Sequence, residues 1–305
     1  MNILNSMLLN DSYNQKTINY PISFTGVGIH SGKVVNMKLL PADQDTGIIF
    51  KRTDLKLNNK IRVSIENISP SKFCSKLENT HKVSVSTVEH LLASLHSLSI
   101  DNVLIEVDAP ELPAMDGSAC EFTFKLLEAG IKTQKKPKHI LKVLKNIKVE
   151  INNRSIEVKP SNELKFTLKI NYPNCLIGND KYTYIHNERN FIDKICFART
   201  FCLFQDIDKL RAAGYGLGGN LNNAIVVNKN EILNESGLKC EQEFIKHKVL
   251  DCLGDFYLAG FQIVGDFNST EPGHELNNKL LQKIFENKSN YTFMTLDENK
   301  SHMLL

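Results

Sequence analysis

The segment from Glu243 to Asp255 sets His247, Asp251 and Asp255 at i, i+4 and i+8, so a helix here would stack one imidazole and two carboxylates on one face. Phe244, Val249, Leu250, Leu253, Phe256, Tyr257 and Leu258 make most of the remaining surface apolar. A helix that buries most of its surface cannot carry such a stripe uncompensated, because each unpaired buried charge costs roughly several kcal/mol. Two compensations are open. One is a salt-bridged polar seam using Lys246 or Lys248, and the other is a metal ion, since His and Asp one helical turn apart can hold one cation.

Two ligands are too few for a stable site, and Glu89-His90 offers a third together with a carboxylate that points elsewhere, neighbours on a helix being about 100° apart. The alternative is that Glu89 closes a capping box opened by Ser86 in Ser86-Thr-Val-Glu89, with His90 a satisfied core histidine. With His90, His247 and Asp251 as ligands, the set is two imidazoles and one carboxylate without a thiolate. Such a set leaves a coordination position for water and describes a catalytic zinc. The ion lowers the pKa of its bound water towards about 7 and polarises a carbonyl oxygen, which is hydrolytic chemistry with Glu89 as general base. His274 lies on the loop Glu271-Pro-Gly-His-Glu275 at a helix start. As an imidazolium it could stabilise an oxyanion and protonate a leaving amine, Asp255 holding its charge, unless it is simply a surface histidine.

These residues sit at corresponding places in a faint internal repeat. A helix carrying Glu89-His90 is followed by the strand 103–107, a proline loop, Gly117 and a second helix over 121–129. In the second half the helix carrying His247 is followed by the strand 261–264, Pro272, Gly273 and a helix over 275–285. His90 to Gly117 spans 27 residues and His247 to Gly273 spans 26, so the order of elements is duplicated at matching intervals. We therefore expect an α+β protein of two similar domains, 1–134 and 135–305, each a β-sheet with helices on one face. If the two helical layers pack together, the two histidines can meet between them. Residues 54–80 read as polar and irregular. The lysine-rich stretch 132–148 reads as a solvated linker running into an edge strand rather than a nucleic-acid patch.

The chain of 305 residues is long enough for roughly two cores, and its composition is that of a globular protein. A net charge of +3 demands neither nucleic acid nor membrane as partner. Seven scattered cysteines without a CxxC pair point to reduced thiols. Residues 1–20 show no basic and apolar leader pattern, and no stretch has the roughly 18 apolar residues of a membrane span, so cytoplasmic residence is expected. Gly214-Tyr-Gly-Leu-Gly-Gly219 matches G-x-G-x-x-G, but it follows a helix-like stretch and leads into a strand. It reads as a helix end and tight turn rather than a dinucleotide site.

Seven motifs in collinear order resemble the UDP-3-O-acyl-N-acetylglucosamine deacetylase family from about residue 17 to 296: Phe24-Thr-Gly-Val-Gly-Ile-His30-Ser-Gly, Ser86-Thr-Val-Glu-His-Leu91, Glu111-Leu-Pro-Ala-Met-Asp-Gly-Ser118, Ala198-Arg-Thr-Phe201, Gly216-Leu-Gly-Gly219, His247-Lys-Val-Leu-Asp251 and Gly273-His-Glu-Leu-Asn-Asn-Lys279. The resemblance implies a cytoplasmic zinc amidase of lipid A biosynthesis with its site between two helical layers. It implies Zn²⁺ held by His90, His247 and Asp251, Glu89 activating water, His274 with Asp255 as proton donor, and Thr200 bonding the carbonyl oxygen or its oxyanion. It further implies substrate contacts from Lys248 and Lys279 towards the nucleotide diphosphate and from Phe201 along an apolar passage for the 3-O-acyl chain. His30, Asp206 and Gly219 match further family positions counted as substrate contacts. The implied partner is the acylated nucleotide sugar alone, with a monomer expected. Cys74 stands where the family often has a cysteine near the metal, but in Cys74-Ser75-Lys76 a charge follows two residues on, and Lys72, Phe73 and Tyr215 also depart from the family pattern. Rival readings are a zinc amidase for another acylated amino sugar and a non-catalytic binding module of the same fold.

Overall fold

The computed structural model describes residues 13–295, so the first twelve residues, with most of the segment that shows no leader pattern, lie outside the described residues. Two sheets organise the chain. The first has five strands in the order 22–27, 34–41, 103–107, 48–52, 60–62, and it carries helices α1 (Glu89–Ser97) and α2 (Cys120–Glu128). The second has seven strands, ordered 147–151, 154–159, 262–270, 139–143, 291–295, with 164–172 also on 262–270 and 178–185 beyond it. Helices α5 (Glu243–Tyr257) and α6 (His274–Phe285) pack on this sheet, while the short helices α3 (Glu188–Lys194) and α4 (Ile207–Ala212) lie in its connections.

The duplicated order has a topological cause. Strands 48–52 and 103–107 pair in parallel, as do 164–172 and 262–270. A parallel pair cannot be closed by a tight turn and needs a crossover, which in each half contains the helix bearing the histidine. Both crossover helices are almost wholly buried: all nine residues of α1, and every residue of α5 except Lys246 and Lys248. They bury this much because α1 and α5 lie against each other, so each is covered by its own sheet and by the opposite helix. Backbones approach most closely at Gly254, where a Cβ would lie 2.0 Å from the Glu89 carbonyl oxygen, a spacing only glycine permits.

The sequence expectation needs correcting in three places. Residues 54–80 are not irregular throughout: 60–62 is the edge of the first sheet, and 68–69, 76–78 and 84–86 form a small separate sheet. The 132–148 stretch is not a linker. Strand 131–137 pairs with 14–18 and 139–143 enters the second sheet, with Lys138 between them 2% exposed and paired to Asp101 at 3.2 Å. Nor is the edge strand that stretch was expected to run into a single one: residues 139–143 and 147–151 form two strands. A second small sheet (201–203, 225–228, 231–232) is inserted in the second half, and the glycine-rich turn lies within it after α4, as the sequence context indicated. This insert is anchored to the start of α5 by the buried pair Arg199 and Glu243, 2.8 Å apart, with Glu243 fully buried. Arg199→Ala strands that carboxylate, so chemical denaturation is expected to show a loss of about 3–5 kcal/mol.

Candidate metal centre and active-site cleft

The expected capping box does not form. Ser86 ends a strand and directs its hydroxyl to the Pro110 carbonyl, Thr87 takes a left-handed conformation (φ 57°), and the helix begins at Glu89 without a side-chain cap. Glu89 is thereby free of capping duty, and His90 stands beside it in the first turn.

His90, His247 and Asp251 each present a ligand atom within 4.8 Å of the others. Asp251 Oδ1 lies 3.3 Å from His247 Nε2 and 3.7 Å from His90 Nε2, and the two rings stand at 86° with centroids 5.0 Å apart. His247 Nδ1 meets the Ala198 carbonyl at 3.0 Å, which places the proton on Nδ1 and aims the Nε2 lone pair into the cluster. Burial holds His247 down to about 3, so its ring is neutral and able to ligate. Burial would raise the Asp251 carboxyl, but His247 and Lys248 outweigh it and hold the group well below the usual range. Asp251 Oδ2 accepts from Lys248 Nζ at 2.9 Å, whereas Oδ1 is buried with no hydrogen-bond partner among the described residues. A buried carboxylate oxygen left bare beside two imidazole lone pairs fits a divalent cation and fits poorly with a closed salt-bridge seam.

Glu89 stands outside the ligand set but lines the same cleft. Its Oε2 accepts from the Ser75 backbone N–H at 3.0 Å, and Oε1 lies 3.9 Å from His274 Nε2. Burial pushes its carboxyl up, towards the range of a working base, although His274 and His90 pull the other way. His274 opens α6 with Nδ1 at 2.9 and 3.0 Å from the two Asp255 oxygens, and Asn277 Nδ2 donates to Asp255 at 2.8 Å. Burial lowers the His274 pKa, but Asp255 more than reverses this and raises it to about 10. Its proton therefore strengthens the fold in full below pH 6.5, and that contribution is lost as pH rises through about 10. Urea midpoints measured between these limits are expected to fall, and the fall should flatten in His274→Gln.

The cleft over these groups holds about 420 Å³ and is lined by Glu89, His90, His247, Asp251 and His274 with His30, Phe73, Thr200, Phe201 and Lys248 among others. Thr200 is pinned through its N–H to the Gly117 carbonyl, 2.8 Å. Gly117 has φ 82°, and a Cβ there would meet the Asn223 carbonyl at 2.1 Å, so this contact requires glycine. Lys248 Nζ lies 5.3 Å over the Phe201 ring, and Phe201 packs against Phe244 and Tyr172. His30 is held by Glu111, whose carboxylate takes the N–H groups of His30 and Ser31, both at 2.8 Å, and the Thr87 hydroxyl. Three of the expected substrate contacts do not line the cleft. Lys279 pairs with Glu275 at 3.0 Å and faces a separate groove beside strand 147–151. Asp206 leads into α4 and Gly219 closes the glycine turn on Gly216. Cys74 lies outside the ligand cluster, and burial pushes its thiol up to about 11.

Two residues of the site were named within motifs but given no role by the sequence. Ser75 and Glu111 are distant in the chain from what they hold, and only the folded backbone brings them there. The departing residues Phe73 and Tyr215 meet edge to face with centroids 4.8 Å apart, joining the two inserts beside His30.

A family model described as UDP-3-O-acyl N-acetylglycosamine deacetylase matches residues 15–286. The chain is similar to curated proteins named UDP-3-O-acyl-N-acetylglucosamine deacetylase. It is 42% identical to that of Actinobacillus pleuropneumoniae serotype 3 over 289 residues, covering 94% of both chains. It is 41% identical to that of Haemophilus influenzae strain PittEE, covering 94% of both, and 41% identical to that of Pasteurella multocida, covering 94% of this chain and 95% of the relative.

Proposed function

The chain belongs to the UDP-3-O-acyl N-acetylglycosamine deacetylase family, and from that membership we propose that it hydrolyses the 2-acetamido group of UDP-3-O-acyl-N-acetylglucosamine to acetate and the free amine, committing the sugar to lipid A. The observation that carries the metal-dependent part of this reading is the cluster of His90, His247 and Asp251 with the bare Asp251 oxygen at its centre. We assign Zn²⁺ to it, because two imidazoles and one carboxylate are the ligand set of an open hydrolytic zinc site. An ion held there supplies a Lewis acid for the amide carbonyl and acidifies water.

The protein groups do the rest. Glu89 takes a proton from the attacking water as its oxygen adds to the acetyl carbon. Thr200, fixed by Gly117, donates to the oxyanion. His274, kept protonated by Asp255, gives its Nε2 proton to the sugar nitrogen as the C–N bond breaks. Phe201 begins an apolar wall for the acyl chain, each buried CH₂ contributing about 0.8 kcal/mol. Lys248 stands at the cleft wall with His30 and faces the nucleotide end of the substrate. Lys279, Asp206 and Gly219 have no part in this assignment.

The reading takes one chain as sufficient, since both halves of the site come from it, and keeps the division at 134/135, a few residues before Lys138, after which pairing passes to the second sheet. Among the described residues no helix is long and apolar enough to cross a membrane and all seven cysteines are free, which supports action in the cytoplasm. The test is acetate release from the acylated nucleotide sugar, measured beside metal content. Zinc near one per chain with acetate released is expected, chelation should remove both, and a zinc-free protein that releases no acetate refutes the reading. A substrate lacking the 3-O-acyl chain should turn over poorly, and equal turnover would favour an amidase for a different amino sugar.

A further inference from the structure

Ser75 lies in the connection of the small sheet inserted in the first half, immediately before strand 76–78, and is fully buried. It makes two polar contacts, each to a carboxylate of the site. Its backbone N–H donates to Glu89 Oε2 at 3.0 Å, and its hydroxyl donates to Asp255 Oδ1. Glu89 belongs to helix α1 of the first half and Asp255 to helix α5 of the second. Ser75 is therefore one residue touching both the group that faces water and the group that steers His274, without lining the cleft itself.

The two contacts do different work. An N–H to Glu89 survives any substitution at 75 except proline, whereas the hydroxyl is specific to the side chain. Asp255 distributes its oxygens among His274 Nδ1, Asn277 Nδ2 and Ser75 Oγ. Asn277 approaches Oδ2, so Ser75 alone anchors Oδ1 from a side other than the imidazole. Without that anchor the carboxylate can turn about its Cβ–Cγ bond, and the His274 ring turns with it, away from Glu89 Oε1 3.9 Å off.

We propose that Ser75 is a positioning residue that fixes the separation of the base Glu89 from the His274–Asp255 pair by holding both carboxylates at once. This deepens the deacetylase reading and rests on it.

The test uses the full-length, metal-loaded protein and compares Ser75→Ala, Ser75→Cys, Asp255→Ala and the double variant Ser75→Ala/Asp255→Ala. Cysteine nearly matches serine in shape but donates weakly, so it folds where alanine could leave a gap. Both Ser75 variants are expected to lose kcat by about tenfold to a hundredfold, the range for a lost hydrogen bond to a charged group, with KM within about threefold and metal content unchanged. On the Asp255→Ala background, Ser75→Ala should cost less than about twofold more, because the group through which the hydroxyl acts is gone. Ser75→Cys turning over at the wild-type rate overturns the proposal, as does an equal loss on both backgrounds. Imidazole ¹⁵N shifts read the same coupling without turnover: Ser75→Ala should move those of His274 and leave those of His247 in place. Unmoved His274 shifts refute the role of Ser75 even if the deacetylase reading stands, and absent acetate release in the wild type refutes that reading while the shifts still judge Ser75.

Discussion

Asp251→Ala is expected to remove the bound cation and the activity in a single step. The substitution deletes the one carboxylate in the ligand set and leaves two imidazoles from different helices, His90 and His247. It also releases Lys248, whose ammonium is held 2.9 Å from Asp251 Oδ2, to bring positive charge towards the site. Metal per chain, read by elemental analysis, should fall from about one to near zero. Deacetylation should fall by about three orders of magnitude or more, since Lewis-acid stabilisation contributes several kcal/mol at roughly 1.4 kcal/mol per decade. A variant that keeps metal and turnover would show that the cluster is a polar seam after all.

Glu89→Gln is expected to separate the two properties. Glutamine keeps an oxygen for the Ser75 N–H and nearly the same volume, so the buried surroundings survive. It cannot take a proton. Metal content should stay at the wild-type value while kcat drops by about 10²–10⁴-fold, the span of general acid–base catalysis. Activity within tenfold of wild type would remove Glu89 from the mechanism and leave proton transfer to some other group.

The His247 to Asp251 spacing was legible because helical periodicity is local: four residues and an apolar surround suffice to place both side chains on one face. The pairing of that helix with the one carrying His90 was legible through the repeated order of elements and the family resemblance, and the parallel strands on either side of each helix explain why the order repeats. The capping box misled because Ser86 had a competing partner in the Pro110 carbonyl, which no local pattern reveals. The place of Lys279 depends on the fold in the same way. Its motif neighbour His274 enters the cleft from the start of α6, but five residues on, more than one turn later, Lys279 faces out towards Glu275. Ser75 and Glu111 are tertiary contacts throughout, so only the fold could show them. The small sheets of the inserts escaped notice because strands of two or three residues carry too little alternation to register.

The contact at Gly254 bears on how a bulky molecule gets in. Where a two-lobed protein would ordinarily flex like a pair of jaws, main chain here rests on main chain, with no side chain between to slide or repack. The rim is built differently: Phe73 and Tyr215 meet edge to face, and a Cβ at Gly214 or Gly216 on either side of Tyr215 would touch nothing within 4 Å. The two central helices are thus registered by backbone, and the mouth of the cleft by side chains.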